Sequence, residues 1–482
     1  MPTFAYDDAA HLLRRMGFGG SPKQINALQR MGLQGAVDHL LNFQKVDNSN
    51  LQALLNASFK FSHPYKFNDF NIDEVKRWWF TRMIHTARPF EEKMTLFWHS
   101  HFATADSKVD NPIFMYLQNQ TLRAKGLGKF DDLLLAVAQD PAMLVWLDGV
   151  TNVAGDPNEN FAREVQELFT QGIFDVITGQ PNYTQNDVHE IARTFTGWGF
   201  YWPNYNKKPF DIVFAIDPSS HDSGSKTIYG VTANYEGQDV LQIIAARRST
   251  ARFLVKKFFN YFVYPLDLTT TADQQTVETY ADIYVNSGHS ISQVLQAIFT
   301  SDEFFSERAR FALVKNPVEY VVGSILMPGA THNTGTNVYE GDAGTVQFLC
   351  QLMGQELMNP PDVSGWPVGI GWINTATALN RYSYADYVVS NRPSDTSAAG
   401  VFIPAKVLSS LTMTNAADTV TSFATSLGPL PLDAAAQPNL ANYLNTADDG
   451  STVEFTKNPQ EVDEKVRGLV HQMMCLAEYQ LN

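Results

Sequence analysis

Thr184-Gln185-Asn186-Asp187-Val188-His189-Glu190-Ile191-Ala192-Arg193-Thr194-Phe195-Thr196-Gly197-Trp198 is the stretch on which the fold class turns. Thr184 can accept from the open amides of a helix start, and Asp187, three residues on, completes a variant capping box. Gly197 then ends the helix. The same grammar extends towards the N-terminus. Residues 158–172 read as a helix closed by Gly172, while 74–105 and 112–147 are longer helical stretches, broken near Pro89 and at Gly126-Leu127-Gly128. Ser21-Pro22-Lys23-Gln24 is another start signal, and Gly32 interrupts the helix it opens. Asp7 caps the first helix.

Beyond Trp198 the character changes. Residues 198–230 are rich in aromatics, Pro, Asn and Gly, with strand-like runs at Ile212-Val213-Phe214 and Thr227-Ile228-Tyr229. They predict a long excursion carrying a small hairpin. Helices resume over 237–264, 271–286, 290–307, 316–326 and 343–353, with a Gly/Thr/Asn-rich loop at 328–342. A Pro- and Gly-rich irregular segment follows at 359–372. Past a Ser/Pro/Asn-rich stretch at 390–400, residues 403–427 and 459–480 look helical. The expected fold is mainly α: a multi-helix globular bundle with a small β-hairpin excursion and long irregular loops. Residues 1–390 would form the helical body, with loop insertions 198–230 and 359–375 closing over one face. Residues 391–482 would form a C-terminal helical region packed on the same body.

Composition narrows the function classes. A hydrophobic fraction of 44% against 18% charged residues supports a sizeable core and argues against global disorder. The formal charge of −15 repels phosphate backbones, and basic residues occur only in short pairs such as Arg14-Arg15 and Lys256-Lys257, so no nucleic-acid partner is expected. No apolar run is long enough to span a bilayer. The first eight residues carry neither a basic segment nor an apolar one, so the expected compartment is cytoplasmic unless a signal has been trimmed. Cys350 and Cys475 sit in apolar helical contexts and are expected to be buried free thiols.

Several segments resemble one family. Ala10-His11-Leu12-Leu13-Arg14-Arg15-Met16-Gly17-Phe18-Gly19 is similar to its first helix and turn, and Phe97-Trp98-His99-Ser100-His101-Phe102 to its aromatic-His motif. Asn160 through Phe169 resembles its central helix, and Tyr183 through Trp198 is a further match. His221-Asp222-Ser223-Gly224-Ser225-Lys226 and Pro360-Pro361-Asp362-Val363-Ser364-Gly365-Trp366-Pro367, with Trp372 and Arg381, complete the series. The chain thus resembles the bacterial family called domain of unknown function 1800. That resemblance implies a largely helical fold and no agreed activity. Where the family usually has His-Pro before Thr-Ala, this chain has Arg247-Arg248-Ser249-Thr250-Ala251, so no imidazole role carries over there.

Four groups of residues could carry chemistry. His99 and His101 are candidate ligands for a divalent metal, although two positions apart on a helix their rings point about 200° from each other. Glu164 and Glu167 share a helix face and could act as acid and base, with Arg163 alongside; a structural ion network reads the same way. If helices 158–172 and 184–197 pack antiparallel, Arg163, Glu164, Glu167, Glu190 and Arg193 could meet. His221 and Asp222 lie in the irregular excursion, with Lys226 or Arg381 placed to orient a polar or anionic group. Trp366 and Trp372, with Tyr201, Trp202 and Tyr205, could wall a cleft. These groups point to a hydrolytic or metal-assisted enzyme. The alternative is a non-catalytic binding or assembly protein, its partner a polysaccharide or another protein, whose motifs are buried structural networks. No nucleophile elbow, Walker loop or His-Glu-x-x-His motif is present.

Overall fold

A computed structural model describes residues 4–59, 71–204, 208, 210–329, 331–332, 338–390, 401–402, 415–453 and 459–482. The protein is mainly α. The N-terminal helices are α1 (Tyr6–Arg15), α2 (Pro22–Leu41), α3 (Ser49–Ser58), α4 (Ile72–His85), α5 (Pro89–His101), α6 (Asp106–Val109) and α7 (Pro112–Lys125). Next come α8 (Phe130–Ala138), α9 (Pro141–Trp146), α10 (Asn160–Glu167), α11 (Gln185–Thr194), α12 (Gly237–Ala245), α13 (Arg248–Phe262), α14 (Thr271–Asn286) and α15 (Ile291–Phe299). The C-terminal third holds α16 (Pro317–Leu326), α17 (Val338–Leu352), α18 (Thr375–Ser390), α19 (Ala416–Ser426), α20 (Ala436–Asn445) and α21 (Pro459–Cys475).

Local chemistry explains the boundaries. The Thr184 hydroxyl accepts from the Asp187 amide and the Asp187 carboxylate answers at the Thr184 amide, so α11 opens on the box its sequence announces. Asn111 followed by Pro112 opens α7, and Asn316 followed by Pro317 opens α16 with Glu319 reaching back to the Asn316 amide at 3.0 Å. Gly32 kinks α2, as its sequence implies.

The excursion after α11 holds two hairpins where one was expected. Strand β1 (Trp198–Tyr201) pairs antiparallel with β2 (Val213–Ile216), and β3 (Lys226–Ile228) with β4 (Val231–Ala233). The two strand-like runs therefore belong to different hairpins, because each pairs with its own sequence neighbour. A third ladder joins β5 (Thr331–His332) to β6 (Val401–Phe402). Tyr205, most of the stretch 390–400 and the segment 403–414 lie outside the described residues. Helices α3, α18 and α20 were not expected, and α17 begins earlier than the predicted 343.

The buried side chains form two hydrophobic cores. The first draws on α1, α2, α8 and α10 to α15; the second on α3, α4 and α16 to α21. Helix α5 serves both. Phe90, Met94, Phe97 and Trp98 recur at helical spacing towards the first core, while Leu96 points into the second. Two of its charged residues, Glu92 and Lys93, are buried as well. Glu92, fully enclosed, accepts from Arg82 Nε (2.8 Å), Arg123 Nη2 (2.8 Å) and Trp79 Nε1 (3.0 Å), tying α4, α5 and α7 together. Burial alone would raise this carboxyl, but the two guanidiniums hold it down to about 2.

Candidate functional site

At the end of α5 the two histidines part company. His99 faces the second core, where its Nε2 accepts from the Met358 amide at 2.9 Å and its ring meets Trp79 and Trp366 at 5.1 and 5.2 Å. His101 faces the first core, bonded through Nε2 to the Phe169 carbonyl at 2.9 Å and stacked on Phe97. Burial pulls both down to about 3, so both are neutral imidazoles. Their opposite directions follow from the two-residue helical spacing, and the pair does not converge on one ion. Among the described residues no three His, Cys, Asp or Glu side chains gather as a metal site.

The carboxylates of α10 form a surface network. Glu167 accepts from the Tyr183 hydroxyl and lies 3.7 Å from Arg163, which also donates to Glu159 at 3.0 Å. Glu164 is half-buried, and burial reinforced by the Glu167 charge raises its pKa against the pull of Arg163. The expected five-residue cluster splits in two: Arg163 stays with Glu159, Glu167 and Gln185, while Arg193 turns the other way.

Arg193 organises the excursion. Its Nε donates to Asp222 at 2.8 Å, and its Nη1 to Glu190 at 3.0 Å and the Ser225 carbonyl at 3.1 Å. Glu190 in turn accepts from the Thr227 amide at 2.7 Å, fastening β3 to α11. His221 donates through Nδ1 to the Thr196 carbonyl at 2.7 Å, and its Nε2 lies 3.0 Å from Glu236. Gly197 makes this approach feasible: at φ +74°, a Cβ there would sit 2.6 Å from the Asp217 carbonyl and 3.1 Å from the His221 amide. Lys226 is buried and donates to the carbonyls of Asp222 (2.6 Å) and Tyr235 (3.1 Å), which leaves it no free hydrogen to orient a substrate beyond the third of its ammonium. Arg381 is likewise buried, donating to the Lys315 carbonyl at 2.8 Å and Gln480 at 3.2 Å, with Tyr320 beneath it. Both side chains hold backbone in place.

The two irregular segments do different things. Trp202 stacks on Phe114 and Tyr201 is exposed, and neither is among the residues lining the cavity walled by the later segment. Residues 359–375 do wall a cavity, of about 480 Å³, at the seam of the two cores. Gly365 lets this segment settle on the end of α5, since at φ +91° a Cβ would stand 2.6 Å from the Ser100 carbonyl. Trp372 then lines the cavity while Trp366 covers His99 beside it. The opposite walls are Ala312, Leu313 and Val314, and the polar groups present are Ser100, Asn260, Tyr261, Asn316, Glu319 and Gln355. The sequence reading singled out none of these six.

Behind Glu319 lies Lys93 of α5, almost fully buried and ion-paired with it across the seam. Glu319 also accepts from the Asn482 amide at 3.0 Å, so its oxygens are committed. The Tyr261 hydroxyl is buried and lies beside Asn316. Burial and the Glu319 charge raise its pKa far above that of a free phenol, so it stays a neutral donor.

The model of a protein family described as "Protein of unknown function (DUF1800)" matches residues 11–481. The chain belongs to that family. No curated protein and no solved structure matches it. Arg247 lies over the Tyr229 ring at 4.1 Å, and Arg248 bonds to Asp282 at 2.6 Å and pairs with Glu278. Both cysteines are free, and no helix among the described residues is long and apolar enough to cross a membrane.

Proposed function

We propose that this is a non-catalytic binding protein whose site is the cavity at the seam of the two cores. One observation carries the reading: an apolar-walled space of about 480 Å³, in the size range of ligand pockets, with several polar side chains converging on it. Its mouth supports the same reading, because Val368 and Ile370 are 83% and 76% exposed, unusual for large aliphatic side chains. Against a hydrolytic cleft stands the dispersal of Glu164, Glu167, His221 and Asp222 over two separate networks, and the prior engagement of most of their polar atoms.

The test is a ligand-observed NMR screen of a mixed fragment library on the wild type and on Ala312→Trp, a variant with its cavity filled. The expected result is a set of fragments that bind the wild type, are recovered chemically unchanged, and lose binding in the folded variant. Fragments that bind both proteins equally, or an absence of binders, would remove the cavity as the site. Turnover of a bound fragment would restore the enzymatic reading.

A further inference from the structure

Side-chain amides line the seam cavity at Asn260 of α13, Asn316 at the head of α16 and Gln355 just beyond α17. One end of an amide accepts and the other only donates. A backbone N–H, which can only donate, reveals which end is which. The Gln355 oxygen accepts from the Val318 amide at 3.0 Å, the Asn260 oxygen from the Leu266 amide at 3.0 Å, and the Asn316 oxygen from the Glu319 amide at 2.9 Å. In each case the backbone takes the oxygen, and the NH2 end is left over.

What that end meets differs among the three. Asn316 turns it on the neighbouring Tyr261 hydroxyl. Asn260 lies at the exposed rim, where water can serve it. Gln355 is only 2% exposed, yet its Nε2 donates to no group among the described residues and is not sealed off from the space it borders. A buried donor without an acceptor is costly unless that space supplies one.

The charge of the lining narrows what the acceptor can be. Glu319 is the one charged side chain among the lining residues, and Lys93 pairs with it. A carboxylate in the wall disfavours an anion, and its existing pair leaves no demand for a cation. The remaining lining, Leu96, Leu313, Ile370 and Trp372 among it, suits a hydrocarbon body.

We infer that the cavity takes an uncharged, mainly apolar molecule bearing a carbonyl oxygen, a ketone or an ester, with that oxygen accepting from Gln355 Nε2 and the hydrocarbon part against Trp372 and Ile370. This rests on the cavity being the binding site.

Acetophenone, ethylbenzene, benzoate and benzylamine share a ring and differ in one substituent; each is titrated into the full chain by ligand-observed NMR. Acetophenone should bind at least about threefold tighter than ethylbenzene, the increment of one neutral hydrogen bond, and tighter than either ion. Gln355→Glu keeps an oxygen for the Val318 amide and removes the donor. It should abolish the advantage of acetophenone while ethylbenzene binds as before. Equal binding of acetophenone and ethylbenzene to the wild type would overturn the carbonyl inference and leave the binding reading intact. So would an ion as the tightest probe, a folded Gln355→Glu protein that keeps the advantage, or fragment binding in the cavity with none of the four probes bound. If Gln355→Glu does not fold, the wild-type order decides alone. Failure of the fragment screen itself would remove the underlying reading instead.

Discussion

Lys93 of α5 and Glu319 of α16 form an ion pair enclosed between the two cores, far from each other in sequence and almost out of reach of water. Removing one partner strands the other. Lys93→Met should therefore destabilise the protein by roughly 3–5 kcal/mol, the usual cost of an uncompensated buried charge. Lys93→Met combined with Glu319→Gln should recover at least half of that, because the amide still accepts from the Asn316 backbone. Denaturant unfolding of the three proteins measures it, and additive losses would show that the pair is not coupled.

Glu92 sets an acid limit on stability. Its folded pKa of about 2 lies below the ordinary value of 4.5, so its contribution is full above pH 4.5 and is lost as pH falls towards 2. The shift corresponds to roughly 3 kcal/mol at about 1.36 kcal/mol per unit. The stability gap between wild type and Glu92→Gln should be widest at pH 7 and close by that amount near pH 2.5.

Asp140 has the opposite sign. It caps α9 by accepting from the Ala142 amide at 2.9 Å, yet burial raises its pKa to about 7. A raised carboxyl favours the folded state most below its unfolded value of 3.8, and that advantage fades as pH rises through 7. Asp140→Asn keeps the capping oxygen and removes the titration. The variant should match the wild type more closely at pH 5 than at pH 8, and at pH 8 should be the more stable by roughly 1–3 kcal/mol. A wild type that gains on the variant from pH 5 to pH 8 would contradict this.

Gly197 holds the entry to the excursion. Gly197→Ala places a Cβ against the Asp217 carbonyl in a left-handed backbone, which costs about 1–2 kcal/mol before any clash is relieved. Limited proteolysis should cut within residues 198–230 faster than in the wild type, while α1 to α5 stay protected.

Helix starts were legible because their chemistry is local: Thr184 with Asp187 needs nothing beyond four residues. The divergence of His99 and His101 was equally legible, being a consequence of helical spacing. Helix α18 was not, because Arg381 sits among its buried positions with Tyr384 and Val388 and breaks the apolar pattern that marks a helix face. The seam cavity was hidden for another reason. Ser100, Tyr261, Asn316, Gln355 and Trp372 come from separate elements, and nothing in their spacing announces that the fold gathers them. Asn316 and Glu319 form the capping box of α16, and the carboxylate that closes the cap also lines the cavity.

The sharing of cores along the chain also constrains its synthesis. Helix α4 offers Trp78, Trp79, Phe80 and Met83 to a core that is completed only by helices α16 to α21. A ribosome adding about 5–20 residues per second needs on the order of ten to fifty seconds to travel from residue 84 to residue 317. For that interval those aromatic side chains have left the exit tunnel without their final neighbours, and a nascent chain of this protein presents a sticky segment that a holding chaperone would recognise.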